Sequence, residues 1–239
     1  MKSIAVFSDI HSNRQALSAI LEDIDTYDFD EVICLGDVLG LGPDPQKCLD
    51  EIRTRRIRML LGNHELYSLC GNVIDENMHE NEREHHRWVA AVLSEEQKIF
   101  LDECALLYEL KTDTKTICFE HFLMNNDPSS ANPFAPLSVI KSGNVMEHII
   151  KSDYDMICIG HEHRSFTLQT DHKILLDVGS SGCRGDEYTF YTILTIDGDE
   201  IEITKKDLTY DRAGFEGAIR STEYPHKKII AKLFFGMEL

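Results

Sequence analysis

The sequence predicts an α/β fold in which two β-sheets pack face to face with helices outside. Three observations predict it. Apolar strand-length runs alternate with helical spacing over residues 1–65, strand-like runs dominate residues 106–205, and Asp, His and Asn recur where predicted strands end.

Ser3 to Phe7 reads as a buried strand. Arg14 to Ile24 has helical apolar spacing through Leu17, Ile20, Leu21 and Ile24, and Val32 to Leu35 is the next strand. Pro45 to Arg53 follows as a helix, with Asp44 as its N-cap and Pro45 in its first turn, and Ile57 to Leu61 is a third strand. Strand, helix, strand, helix, strand implies right-handed crossovers and a parallel sheet, in which ligands bind beyond the carboxyl ends of the strands. Asp9, Asp37 and Asn63 fall at those ends.

Residues 66 to 105 form a polar helical insertion with Trp88, Val89, Val92 and Leu93 on one apolar face. Its histidines His79, His85 and His86 sit among acids, which places them on a solvated helix face. Strands are expected at 106–110, 116–120, 156–159, 165–169, 173–177, 190–196 and 200–205, and helices at 136–151, 211–222 and 225–234. The chain has 239 residues, 42% of them hydrophobic, and no linker in its middle, so a single domain spanning 1–239 is expected.

Charge and cysteine usage exclude whole classes. A formal net charge of −18 opposes a grip on nucleic-acid backbone, which needs clustered Lys and Arg. The run Arg53 to Arg58 (RTRRIR) joins a helix to a strand, where cations stabilise the helix C-terminus. Seven cysteines without a CxxC pair or disulfide-rich spacing predict a reduced, cytoplasmic compartment. The apolar start of the chain breaks at Ser8-Asp9, too short for a signal peptide, and no run approaches the roughly 18 apolar residues of a membrane span.

The functional signal lies in five ordered segments: Asp9-Ile10-His11, Gly36-Asp37, Gly62-Asn63-His64-Glu65, His121, and Gly160-His161-Glu162-His163. Asp, His and Asn are oxygen and nitrogen donors suited to Mn, Fe or Zn, and they are too many for one mononuclear site. Alone, Asp9 and Asp37 would read as helix caps and His121 as a core histidine; their joint order favours two adjacent divalent metal ions. Two His flanking a turn have little structural purpose, and Gly160 supplies the backbone freedom for that turn.

These segments resemble the calcineurin-like metallophosphoesterase superfamily, whose pattern runs DxH, GDxxG, GNH(D/E), a lone His and GHxH. Val178 to Gly182 resembles a Gly-Ser loop of small bacterial members. The phrases GDVLGLGPDPQKCLDEIR and WVAAVLSEEQKIFLDE resemble a bacterial group of predicted phosphodiesterases related to diadenosine tetraphosphatases. The resemblance implies a four-layer α/β/β/α sandwich. It implies that Asp9, His11 and His163 bind the first metal, that Asn63, His121 and His161 bind the second, and that Asp37 bridges both. His64 would face the substrate phosphate. Two cations about 3.5 to 4 Å apart would share a hydroxide nucleophile and clamp phosphate oxygens, while His64 protonates the leaving group or hydrogen-bonds the transition state.

The departures from the pattern narrow the substrate. Protein Ser/Thr phosphatases carry GDxVDRG, whose second Asp orients the catalytic His and whose Arg grips phosphate; here Gly40 and Leu41 take those places. Phe122 follows His121 where Gly is usual, which sets an aromatic ring beside the second metal, and Arg184 is a candidate phosphate contact. The expected activity is hydrolysis of a phosphodiester or phosphoanhydride in a small nucleotide-like substrate. The alternatives are a phosphomonoesterase or protein phosphatase, and a catalytically weak metal-binding scaffold.

Overall fold

The computed structural model describes residues 1–70, 78–123 and 149–239. In chain order its elements are β1 (Lys2–Phe7), α1 (Arg14–Ile24), β2 (Glu31–Cys34), α2 (Pro45–Thr54), β3 (Arg58–Met59), α3 (Asn63–Cys70), α4 (Glu80–Val92) and α5 (Glu95–Glu103). There follow β4 (Leu107–Lys111), β5 (Thr116–Glu120), β6 (Met156–Ile159), β7 (Phe166–Gln169), β8 (Ile174–Asp177), β9 (Tyr188–Asp197) and β10 (Glu200–Thr209), and then α6 (Arg212–Ser221) and α7 (Lys227–Phe235). The expected helix at 136–151 falls almost wholly outside the described residues, as do residues 71–77 of the insertion.

Two five-stranded sheets result, in the orders β10-β9-β1-β2-β3 and β4-β5-β6-β8-β7. The three N-terminal strands are parallel as expected, but the hairpin β9–β10 completes their sheet by pairing antiparallel to β1, with Val6 opposite Thr192. The second sheet is mixed as well, β5, β6 and β8 being parallel and β4 and β7 antiparallel.

The period of two along β1 explains the layering. Ile4 and Val6 turn inward with Ile33 and Leu35 to meet Ile117, Phe119, Met156, Cys158 and Leu176 of the facing sheet. Ala5 and Phe7 turn outward beneath Leu17, Ile20 and Leu21 of α1 and Leu49 and Ile52 of α2. Leu123 and Ile149 pack on the outer face of the second sheet with Ile157, Ile159 and Leu175. Each fully buried aliphatic side chain contributes roughly 1.5–3 kcal/mol, so these three layers carry most of the fold's stability.

Local chemistry fixes several ends. Asn13 caps α1 by accepting from Ala16 N at 3.0 Å, Ser94 and Gln97 form a capping box on α5, and Asp211 caps α6. Asp44 does not cap α2: its carboxylate pairs with Lys47 instead. The third strand is shorter than expected, because Leu60 leaves it to bridge Ala105.

The insertion departs most from expectation. Val89 and Leu93 join the core, and His85 and His86 of α4, three to eight residues before them, are also buried, at 2% and 3% exposure. The C-terminal segment covers them, with Tyr224 packing 5.7 Å from the His85 ring. His79 alone behaves as an exposed residue, accepting from Asn81 N at the start of α4. Among the described residues no helix is long and apolar enough to cross a membrane, and the described cysteines are free.

Candidate metal centre

The loops after β1 and β2 are tied to each other by backbone hydrogen bonds. Asp9 N donates to Gly36 O at 3.0 Å, His11 N to Asp37 O at 2.9 Å and Ser12 N to Val38 O at 2.8 Å. Glu65 holds the second loop from below, its carboxylate accepting from Asp37 N (2.8 Å), Leu39 N (2.9 Å) and Gly62 N (2.9 Å). The Gly-Ser loop supports the first: Gly182 N and Ser180 Oγ both donate to Asp9 O, and Asn13 Nδ2 donates to Gly182 O at 2.8 Å.

Strain concentrates on the expected ligands. Asp9, His11, Asp37, His161 and His163 all have left-handed φ between 49° and 73°. Such conformations cost a non-glycine residue roughly 1–3 kcal/mol each and persist where function demands them. Gly160, expected to supply the freedom of the GHEH turn, does not take a left-handed φ; the two histidines do. Its need for Gly is steric, since a Cβ there would overlap Ser8 Oγ and stand 2.6 Å from Asp9 Oδ2.

Both aspartates have one oxygen anchored and the other turned to imidazoles. Asp9 Oδ2 accepts from His161 N at 3.0 Å, which leaves Oδ1 3.3 Å from His163 Nε2 and 3.7 Å from His11 Nε2. Asp37 Oδ1 accepts from His64 N at 2.9 Å, which leaves Oδ2 3.2 Å from His121 Nε2 and 3.9 Å from His11 Nε2. His11 Nδ1 lies 3.2 Å from Leu39 O; donating there fixes the tautomer with the Nε2 lone pair free.

The donors fall into groups that share members. Asp9, His11 and His163 converge within 4.8 Å, as do Asp37, His121 and His161, and Asp37 also lies within that distance of His11 and His64. Asn63 Oδ1 and His121 Nδ1 are buried with no hydrogen-bond partner, and Asp9 Oδ1 and His121 Nε2 face only their ion-pair partners, without hydrogen-bond geometry. Buried orphan acceptors of this kind are costly unless something cationic completes them, so the residues present fit divalent ions. His11 Nε2 and His163 Nε2, 2.9 Å apart, likewise need a shared proton or ion between them.

The electrostatics follow the same logic. Burial alone would raise the Asp37 carboxyl, but the imidazoles of His121, His64 and His11 hold it well below the usual carboxylate range. Burial dominates at His64 and pushes its imidazole well below 6.5, so this ring is neutral at neutral pH. Its Nε2 lies 4.0 Å from Asp37 Oδ2, at the rim of the ligand set.

Six of the expected ligands, Asp9, His11, Asp37, His121, His161 and His163, lie in the converging groups, and Asn63, the residue before His64, opens α3 with its Oδ1 buried and unpartnered. Phe122 is buried, its ring edge-on to His121 (5.5 Å) and His161 (5.6 Å), where it wedges the second group. The Arg184 guanidinium is held by Asp186 through contacts of 2.9 and 2.7 Å. Sequence reasoning missed the roles of Glu65, Asn13 and Ser180. A buried-looking Glu beside a candidate ligand was the available signal for the first; nothing local marks the other two.

Comparison with known proteins gives a consistent picture. A family model described as a calcineurin-like phosphoesterase superfamily domain matches residues 1–199. An uncharacterised protein of Methanocaldococcus jannaschii, MJ0912, is 28% identical over 96% of this chain and 91% of its own length; this relative is archaeal, so the likeness is not confined to bacteria. Among solved structures, the hypothetical protein PH1004 from Pyrococcus horikoshii matches with a TM-score of 0.77 at 18% identity, covering 100% of both chains. A metallophosphoesterase from Sphaerobacter thermophilus matches with a TM-score of 0.68 at 21% identity, covering 99% of both. These structures share the four-layer α/β/β/α arrangement of two mixed sheets flanked by helices.

Proposed function

Because the chain belongs to the calcineurin-like phosphoesterase superfamily, we propose that it is a dinuclear metal-dependent phosphodiesterase acting on a nucleotide-like small molecule. One observation carries the reading: Asp37 Oδ2 stands between His11 of the first donor group and His121 of the second, the place of a carboxylate that joins two cations.

Asp9, His11 and His163 would hold one ion and Asn63, His121 and His161 the other. Divalent cations of the Mn, Fe or Zn kind, when bound, lower the pKa of water towards neutrality and offset phosphate charge. That offset also lets a chain of net charge −18 accept an anionic substrate. His64, neutral and next to Asp37, donates a hydrogen bond to a phosphate or leaving-group oxygen in the transition state. Arg184 contributes a further phosphate contact by exchanging Asp186 for a substrate oxygen.

Gly40 and Leu41 disfavour a protein phosphatase. The former lies against His64 with no room for a side chain, and the latter is buried with its N–H donating to His85 Nε2 at 2.8 Å. The reading includes a single domain, the free described cysteines supporting a reducing cytoplasm.

The test is the kcat/KM of metal-loaded protein on an aryl phosphodiester and on the matching monoester. The reading predicts that the diester is favoured at least tenfold. A preference for the monoester overturns it.

A further inference from the structure

Next to the metal centre, and sharing His64 with it, lies a cavity of about 210 Å³ between α4 and α7. Leu41, Ile230 and Phe234 give it apolar walls, and His85 and His86 join His64 in lining it. Larger clefts, of about 460 and 620 Å³, lie on the outer face of the second sheet and by the starts of β6 and β8, away from the ligands.

Two features mark this cavity as a binding site. His86 is 3% exposed, yet neither ring nitrogen has a hydrogen-bond partner; its ring stands edge-on, 4.9 Å from His64 and 5.0 Å from Tyr67. A buried imidazole without a partner is completed by a ligand that offers a donor or acceptor. At the mouth, α7 leaves Ile229 and Phe234 exposed at 53% and 39%, an apolar rim beside a polar centre.

Charge decides what enters. No Lys or Arg is among the described residues that line the cavity, and Glu82 stands in its wall, 3.9 Å from His86 Nε2. A polyphosphate chain there would meet a carboxylate and no cation. A neutral planar group would meet apolar walls and imidazole rings.

We infer that this cavity is the subsite for the organic group of the phosphoester, and that this group is a nucleoside attached through a single phosphate. The inference rests on the phosphodiesterase reading for the phosphate end and specifies the rest of the substrate. Its outer wall, residues 226–234, lies beyond the family match at 1–199. His226, left-handed at φ 60° and 2.7 Å from Glu84, fastens that wall to α4.

The test combines binding and turnover. Calorimetric titration of metal-stripped protein with adenosine should show saturable binding, weakened at least tenfold in Ile229→Trp, whose thermal midpoint and metal content check that it is folded. In metal-loaded protein, kcat/KM for the nitrophenyl ester of adenosine monophosphate should exceed that for methyl nitrophenyl phosphate, which lacks the nucleoside, at least tenfold, and this ratio should collapse in Ile229→Trp. Glu82→Lys should shift preference towards diadenosine polyphosphates. Equal turnover of both esters without adenosine binding overturns the subsite while supporting the phosphodiesterase. Adenosine binding without turnover of either ester supports the subsite and overturns the phosphodiesterase. A wild-type preference for the polyphosphate overturns the charge argument and the inference with it.

Discussion

Gly40 and the imidazole of His64 occupy adjoining space so closely that a Cβ at residue 40 would overlap His64 Nδ1. In protein phosphatases an Asp at this place orients the histidine; here the backbone itself is the surface on which His64 rests. Gly40 also has φ 80°, a conformation that L side chains resist. Gly40→Asp therefore displaces His64 instead of completing a dyad. Turnover should fall on the order of 10²-fold, the cost of about 1 Å of misplacement, with metal content retained. Equal or faster turnover would show that His64 is not positioned by this contact.

The neutral His64 is proposed to act by hydrogen bonding, which separates two substitutions. His64→Ala should lower kcat by roughly 10²- to 10⁴-fold without loss of metal, and His64→Gln, which still carries an N–H donor, should recover part of that loss. Stopped-flow or steady-state kcat beside metal analysis reads both. Identical rates for the two variants would favour proton transfer over hydrogen bonding.

Glu65 presents two oxygens to three backbone N–H groups on two loops. Glu65→Gln places an amide N–H₂ where an acceptor is needed and leaves at least one buried donor unpaired. Stability should fall by about 1–3 kcal/mol, read by urea unfolding of the metal-stripped protein. An unchanged midpoint would mean that the loops are held by the strands alone.

The chemistry of the site was legible because Asp9, Asp37, Asn63 and the GHEH histidines are residues with little reason to gather at strand ends. The helix α1 was legible through the spacing of Leu17, Ile20, Leu21 and Ile24. What escaped is non-local. The hairpin β9–β10 joins β1 across most of the chain, so the N-terminal run of parallel strands could not show that its sheet is mixed. His85 and His86 lie among acids in sequence and look solvated; Tyr224 and α7, about 140 residues later, bury them. Gly160 reads as a flexible hinge, but its role is set by Ser8 and Asp9, which approach it only in the fold.

Asp177 gives the protein a pH dependence with a definite sign. Its Oδ1 accepts from Gly179 N at 2.8 Å, Oδ2 has no partner, and burial pushes the carboxyl up to about 8 from 3.8. A carboxyl raised in the folded state contributes stability below its unfolded pKa and loses it as pH rises through the folded one. Metal-stripped wild type should thus lose stability between pH 4 and 8 more steeply than Asp177→Asn, as thermal midpoints across that range would show. Parallel profiles would contradict a buried neutral Asp177.

Phe122 wedges against His121 and His161. Phe122→Ala removes a buried ring and should cost about 3–5 kcal/mol, and it should weaken the second metal more than the first, measured by metal titration at fixed protein. Equal weakening of both would place the wedge outside the centre's support.

Five separated segments are proposed to build one centre for two ions on which hydrolysis depends. Metal-stripped protein titrated with Mn²⁺ while hydrolysing an aryl phosphodiester tests it most directly. Background rate is expected without metal, with a rise that saturates at two ions per chain. Full rate in the stripped protein, or saturation at one ion, would contradict it.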